Sequence, residues 1–248
     1  MGKTSELLYN ADGYSKRMLV YTPSGYDGKG LPTLYLTHGI SQTEDSWEEL
    51  CGVTEIFDSC ISKGITKPFA AVMVNGRACE EGKKPDDSYG LENVRLFLDF
   101  EKEFISVILP TVEEHFGTVP DREHRAVSGF SMGGFQSVNF GLAHADKFAY
   151  IGGFSPAPYT DAKTSANSFL MNNKSAKLSD YVRLFYLSNG TLETDGEGKF
   201  GQFKKYTTSA LEYMQNQGVN CVYETFEGGH EPIVWERSLI SFVKRLWK

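Results

Sequence analysis

Residues 128–134 read Ser-Gly-Phe-Ser-Met-Gly-Gly, and Gly129-Phe130-Ser131-Met132-Gly133 fits the pattern G-x-S-x-G. A serine so placed can attack a carbonyl carbon if two conditions are met. Its neutral hydroxyl needs a base to take the proton, and the oxyanion formed on attack needs hydrogen-bond donors. The glycines on either side permit a sharp strand-to-helix turn that lifts the hydroxyl above a sheet. The helix that follows aims its N-terminal amides at the same place, where they favour negative charge. Gly153-Phe154-Ser155 begins in a similar way, but Pro156 and Ala157 follow and the second glycine is missing.

Five histidines could supply the base: His38, His115, His124, His144 and His230. Behind a G-x-S-x-G turn the base follows nucleophile and acid in chain order, on a loop after the last strand. His230, in "FEGGHEPIVW", meets that requirement, and the two glycines before it let the backbone bend the imidazole over the sheet. His38, at another strand end before Gly39, reads as structural; His115, His124 and His144 read as surface or packing residues. The acid is expected in "SNGTLETDGEGKFGQ", where Asp195 and Glu193 both qualify. Asp195, flanked by Gly196, is preferred because a short acid on a tight turn suits the role of orienting the imidazole, with Glu193 the alternative. Asp180, ahead of the strand, reads as a cap. For the oxyanion the amide of Met132 needs a second donor, and "THGISQTEDSW" offers Ile40, then Ser41.

These groups must be held by a frame, and the hydrophobic pattern supplies one. Runs at 17–23, 32–39, 69–76, 124–130, 148–155, 182–190 and 221–229 read as strands, most of them continuously apolar as buried central strands are. Helical patterns lie between them at 45–63, 92–116, 133–145, 202–217 and 233–247. The alternation predicts one α/β domain over residues 1–248, with a mostly parallel sheet covered on both faces. The run ending at Pro23 is predicted to be an antiparallel lead-in strand.

Composition narrows the function. A net charge of −7, with no cluster of Lys or Arg, disfavours nucleic acid as a partner. No apolar run approaches the roughly 18 residues that cross a bilayer, so no membrane partner is expected. Cys51, Cys60, Cys79 and Cys221 lack metal-site spacing and read as free thiols, with a Cys51–Cys60 bridge as the alternative. The opening "MGKTSELLYNADGYSKR" has no apolar core of the signal-peptide kind. The expectation from these residues alone is a protein that stays in the cell, or one whose leader lies outside this chain.

The run "DREHRAVSGFSMGGFQSVNFGLAHADKFAYIGGFSPAP" (121–158) resembles the feruloyl-esterase modules attached to bacterial xylanases, in the first carbohydrate-esterase family. The resemblance extends to "PTLYLTHGISQTEDSW", "YGLENV" and "GGHEPIVW", and so from about residue 15 to the C-terminus. It implies an α/β-hydrolase fold, in the same wider group as S-formylglutathione hydrolases and mycolyl transferases. It also implies a serine esterase acting on ferulate or acetate esters of plant cell-wall polysaccharide, needing no cofactor or metal. By the same resemblance Ser131 is the nucleophile, His230 the base, the acid lies in the 190–195 turn, and Ile40 and Met132 give the amides. A secreted location and attachment to glycoside-hydrolase or binding modules are implied in the same way. The chain departs from the family pattern at Ser41-Gln42, where glycines are common, at Glu231, where Asp commonly follows the base, and in its longer acid turn.

The expected partner is therefore a feruloylated or acetylated xylan or arabinoxylan fragment. The segments 75–90 and 156–175 follow strands, where α/β pockets form, and are expected to grip acyl group or sugar. Trp235, Asn75 and Gln42 are the candidate substrate contacts, while Trp47 reads as a helix anchor. The alternatives to a feruloyl esterase are an acetyl-xylan esterase, an S-formylglutathione hydrolase-like thioesterase, and a non-catalytic carbohydrate-binding module of this fold. Intact Ser131 and His230 argue against the last.

Overall fold

The computed structural model describes residues 1–193 and 201–248. Among these, eight strands form one sheet: β1 Lys3–Ala11, β2 Tyr14–Thr22, β3 Thr33–Thr37, β4 Ala70–Val74, β5 Arg125–Phe130, β6 Tyr150–Phe154, β7 Leu184–Gly190 and β8 Cys221–Phe226. Their order across the sheet is β1-β2-β4-β3-β5-β6-β7-β8. β2 pairs antiparallel with both β1 and β4, and every other pair is parallel. Every residue of β3, β4 and β5 is buried, which is why these strands read as unbroken apolar runs rather than alternating ones. This is the α/β-hydrolase arrangement.

Helices cover both faces. On one side lie α1 Ser46–Cys51, α2 Val53–Ser62 and α9 Pro232–Val243, packed through Trp47, Phe57, Leu239 and Phe242. The other face carries α3 Leu91–Glu103, α4 Leu109–Phe116, α5 Met132–Ala143, α6 Ala162–Asn172 and α8 Gly201–Asn216, with the short α7 Leu178–Tyr181. A single π turn, Phe104–Ile108, joins α3 to α4. The predicted helix 45–63 is two helices, because Gly52 takes a left-handed conformation (φ 59°) between α1 and α2. Cys51, Cys60, Cys79 and Cys221 are all free.

The chain goes from β3 outward to β4, then returns to the other side of β3 to form β5. In open α/β sheets the crevice at such a switch of direction, outside the carboxyl ends of the strands, is where ligands bind. The loop after β3 and the turn after β5 flank that crevice.

Candidate active site

At the end of β5 the chain turns into α5 through Ser131, whose φ of 55° and ψ of −118° are strained for a residue with a side chain. The strain is held in place by the surroundings. Ser131 N–H donates to the Phe154 carbonyl at 2.9 Å, and the Ser131 carbonyl accepts from Phe135 and Ala157, each at 3.0 Å. The flanking glycines are dictated by close approach to β3. A Cβ on Gly129 would come within 2.6 Å of the Thr37 carbonyl, and one on Gly133 within 2.4 Å of it. The Thr37 hydroxyl closes the contact by donating to the Gly133 carbonyl at 2.8 Å.

The loop between β8 and α9 brings His230 to the serine. Gly228 sits at φ 132°, a region favouring glycine, and the Gly229 N–H donates to the Glu231 carboxylate at 2.7 Å. Glu231 thus fixes the turn that carries the imidazole. The ring of His230 lies edge-on to Phe203 at 4.9 Å and to Trp235 at 5.2 Å. Its Nε2 is 2.9 Å from Ser131 Oγ, and its Nδ1 is 2.5 Å from Glu193 Oε1. With Nδ1–H donating to the carboxylate, Nε2 is left to accept from the serine.

Glu193 is 1 % exposed. Its second oxygen, Oε2, accepts from Ser155 Oγ at 2.8 Å, Gly190 N–H at 2.9 Å and Asn189 Nδ2 at 3.0 Å. Burial alone raises a carboxyl's pKa, but hydrogen bonds from His230 and Asn189, the imidazole's charge and the Gly190 amide outweigh it and hold Glu193 below the ordinary carboxylate value. The carboxylate is therefore charged when His230 needs it. The extra methylene of Glu lets a residue three positions past the end of β7 fold back and cap that strand's own terminus. Nδ1 carries one hydrogen, and it is donated to Glu193. The acid of this geometry is thus the alternative rather than the preferred Asp195, which lies outside the described residues.

Met132 opens α5, so its N–H is one of the amides that helix geometry leaves without an intrahelical partner. Ile40 follows β3, and its N–H meets no acceptor among the described residues. Both residues line a cavity of about 310 Å³ that also contains Ser131 and His230. Its remaining walls are Ala157, Pro158, Tyr159, Phe203, Gln202 and Tyr89. The Tyr159 phenol is pushed above its ordinary pKa by burial and by the neighbouring Tyr89, so it stays a neutral, largely apolar wall.

Three sequence candidates for substrate contact do not line this cavity. Trp235 is buried and stacked on Phe130 at 4.2 Å, supporting the elbow from beneath. The Asn75 side-chain oxygen accepts from the Arg77 N–H at 3.4 Å, and the Asn75 backbone carbonyl accepts from Lys16 Nζ at 3.1 Å. The Gln42 side chain accepts from the Gly39 N–H at 3.0 Å, within its own loop. Each is consumed by internal hydrogen bonding or packing. Of the two segments expected to grip the substrate, 75–90 contributes Tyr89, and 156–175 contributes Ala157, Pro158 and Tyr159 before it turns into α6. Sequence reasoning missed Ser155, set aside for lacking a following glycine. The available signal was a serine immediately after β6, the strand beside β5. Among the described residues no cluster of His, Cys, Asp and Glu could hold a metal ion.

An endo-1,4-beta-xylanase/feruloyl esterase from Xylanibacter ruminicola is 28% identical to the chain over 237 residues, covering 92% of this chain and 29% of that protein. An acetyl esterase from Caldicellulosiruptor saccharolyticus is 24% identical over 238 residues, covering 87% of this chain and 83% of that protein. The solved structure of a CE1 ferulic acid esterase from Anaeromyces mucronatus superposes with a TM-score of 0.79 at 25% identity, covering 99% of this chain and 90% of that one. The chain spans 29% of the length of the curated relatives it matches first. Residues 13–246 match the family described as "Putative esterase", and with an elbow serine, a histidine and a carboxylate in one hydrogen-bonded line the chain belongs to that esterase family.

Proposed function

We propose that the protein is a serine carboxylesterase that releases hydroxycinnamate groups, ferulate above all, from plant cell-wall polysaccharide. The observation that carries this reading is the line Ser131 Oγ–His230 Nε2 at 2.9 Å and His230 Nδ1–Glu193 Oε1 at 2.5 Å, opening onto a cavity with aromatic walls.

The chemistry follows from those contacts. Ser131 Oγ attacks the ester carbonyl carbon as its proton passes to His230 Nε2, and the carbonyl π-electrons move onto oxygen. The amides of Met132 and Ile40 receive that oxyanion. Glu193 stabilises the imidazolium and holds its tautomer without taking the proton. Collapse of the tetrahedral intermediate breaks the bond to the sugar oxygen, which leaves with the proton from Nε2. Water, deprotonated by His230, then cleaves the acyl-enzyme and releases the acid. A flat phenolic acyl group suits the slot between Phe203, Tyr159 and Pro158, since aromatic rings bury large area at defined geometry.

The test is ferulate release from methyl ferulate, beside acetate release from acetylated xylan, for the native protein and Ser131→Ala. Ferulate release lost in the variant supports both mechanism and acyl class. Serine-dependent acetate release without ferulate release keeps the mechanism and overturns the acyl assignment. Equal inactivity of native and variant on both overturns the reading as it stands.

A further inference from the structure

A guanidinium is buried behind the loop that offers the Ile40 amide. Arg77, in the loop after β4, is 1 % exposed. Among the described residues no carboxylate lies within ion-pair distance of it. Its hydrogens go to polar groups of the crevice wall instead. Nη2 donates to the Ile40 carbonyl at 2.5 Å, Nη1 to the Gln42 carbonyl at 2.6 Å, and Nε to Asn93 Oδ1 at 2.9 Å. Asn93 Nδ2 adds a second donor to the same Ile40 carbonyl, at 3.1 Å. A buried charge without a counter-charge is costly, and an apolar side chain of similar volume would fill the space at less expense. The cost is offset by holding two carbonyls of one short loop.

That loop is fixed on its other side too. His38 Nδ1–H donates to the Gly39 carbonyl at 2.8 Å, and its Nε2 accepts from Gly76 N–H at 3.0 Å. A trans peptide is planar, so the Ile40 N–H points opposite to the Gly39 carbonyl. Fixing the carbonyls before and after Ile40 therefore fixes the direction of the amide between them. Ser41 and Gln42 carry side chains, which leave the backbone less freedom than glycines would in the same stretch.

We propose that Arg77 is a positioning residue for acyl transfer: through the carbonyls of Ile40 and Gln42 it holds the Ile40 amide in the orientation that receives the oxyanion. This rests on the serine-esterase reading above. Arg77 does not touch substrate; it acts through the loop. Because the oxyanion exists only in the transition state and intermediates, loosening its donor lowers kcat more than it raises KM.

The experiment compares native protein, Arg77→Lys, Arg77→Gln and Ser131→Ala for methyl ferulate turnover, inhibition by phenylboronic acid and inhibition by ferulate. Phenylboronic acid forms a tetrahedral adduct with the serine, whereas ferulate, the product, only fills the pocket. In both Arg77 variants kcat is expected to fall about ten- to a hundredfold, the cost of a misplaced donor, with KM within about threefold. Phenylboronic acid should weaken in step with kcat and ferulate should not. Lysine should not rescue, because its point charge cannot reach both carbonyls as the planar fork does. If the Arg77 variants do not fold, Asn93→Ala carries the same comparison, since it removes both the other donor to the Ile40 carbonyl and the acceptor that orients the Arg77 fork. A folded variant with native kcat, or one losing boronate and ferulate affinity alike, overturns the proposal while Ser131→Ala stays inactive. Turnover that survives in Ser131→Ala overturns the esterase reading itself and this inference with it.

Discussion

The Glu193 carboxylate joins two tasks: Oε1 lies 2.5 Å from His230 Nδ1, while Oε2 accepts from Ser155, Asn189 and Gly190. Glu193→Gln keeps the shape but offers an amide that can donate to Nδ1 and stabilise the wrong tautomer. A fall in kcat of about two to four orders of magnitude is expected, the range for a lost triad acid. Asp195→Asn should leave kcat within about twofold, because Glu193 already accepts the Nδ1 hydrogen of His230. Steady-state kinetics of the two variants decide between the carboxylates, and the reverse pattern would return the acid to Asp195.

Ser155 acts on the acid and not on the substrate. It is fully buried at φ 46°, and its hydroxyl gives Glu193 one of its three Oε2 hydrogen bonds. Ser155→Ala removes a charge-assisted hydrogen bond of about 1.5–3 kcal/mol from a buried carboxylate. Activity at neutral pH should drop about tenfold, by release of the imidazole from its orientation. Denaturation midpoints measured alongside should fall as well. Unchanged kinetics would show that Asn189 and Gly190 suffice.

Stability should depend on His38 in mild acid. Burial, with Arg77's charge next in weight, lowers its pKa from 6.5 to about 3. The unfolded chain therefore takes up this proton before the folded one does. The stability contributed by neutral His38 is fully present above about pH 6.5 and is lost as pH falls toward about 3, at up to about 1.4 kcal/mol per pH unit for this one group. Glu193, held below its ordinary value, adds to the loss at the acid end of that window. Urea denaturation at stepped pH should show a shallower slope in His38→Asn than in the native protein. Parallel slopes would mean that other groups govern the acid response.

Acyl preference should reside at Tyr159, which lines the cavity and packs edge-on against Phe135 at 5.7 Å. Tyr159→Ala should lower kcat/KM for methyl ferulate by about tenfold relative to an acetate ester, since lost aromatic contact is felt only by the larger acyl group. Equal losses on both esters would place the effect in the triad's support instead.

The frame was legible where burial is continuous. Seven of the eight strands follow from apolar runs, and the antiparallel entry of β2 followed from Pro23. β1 escaped because its exposed face carries Thr4, Glu6, Asn10 and even Leu8, and on the other face only Tyr9 and Ala11 are buried. α6 escaped because its periodic face is thin, resting on Ala162, Ala166 and Phe169. Ser131 and His230 could be singled out since motif and chain order restrict them strongly. The acid could not be separated from its neighbour, because reach depends on how the turn folds back on Gly190. Arg77, Asn93 and Ser155 act through contacts between distant loops, and no local pattern marks such contacts.

The most direct measurement is the rate and site of labelling by a fluorophosphonate, with peptide mapping of the adduct, in native protein, Ser131→Ala and Glu193→Gln. The expected result is a single adduct on the peptide containing Ser131, absent in Ser131→Ala and formed at least about a hundredfold more slowly in Glu193→Gln. An adduct on another serine, or none on a folded native protein, would contradict the assignment of Ser131, His230 and Glu193 as one acyl-transfer unit.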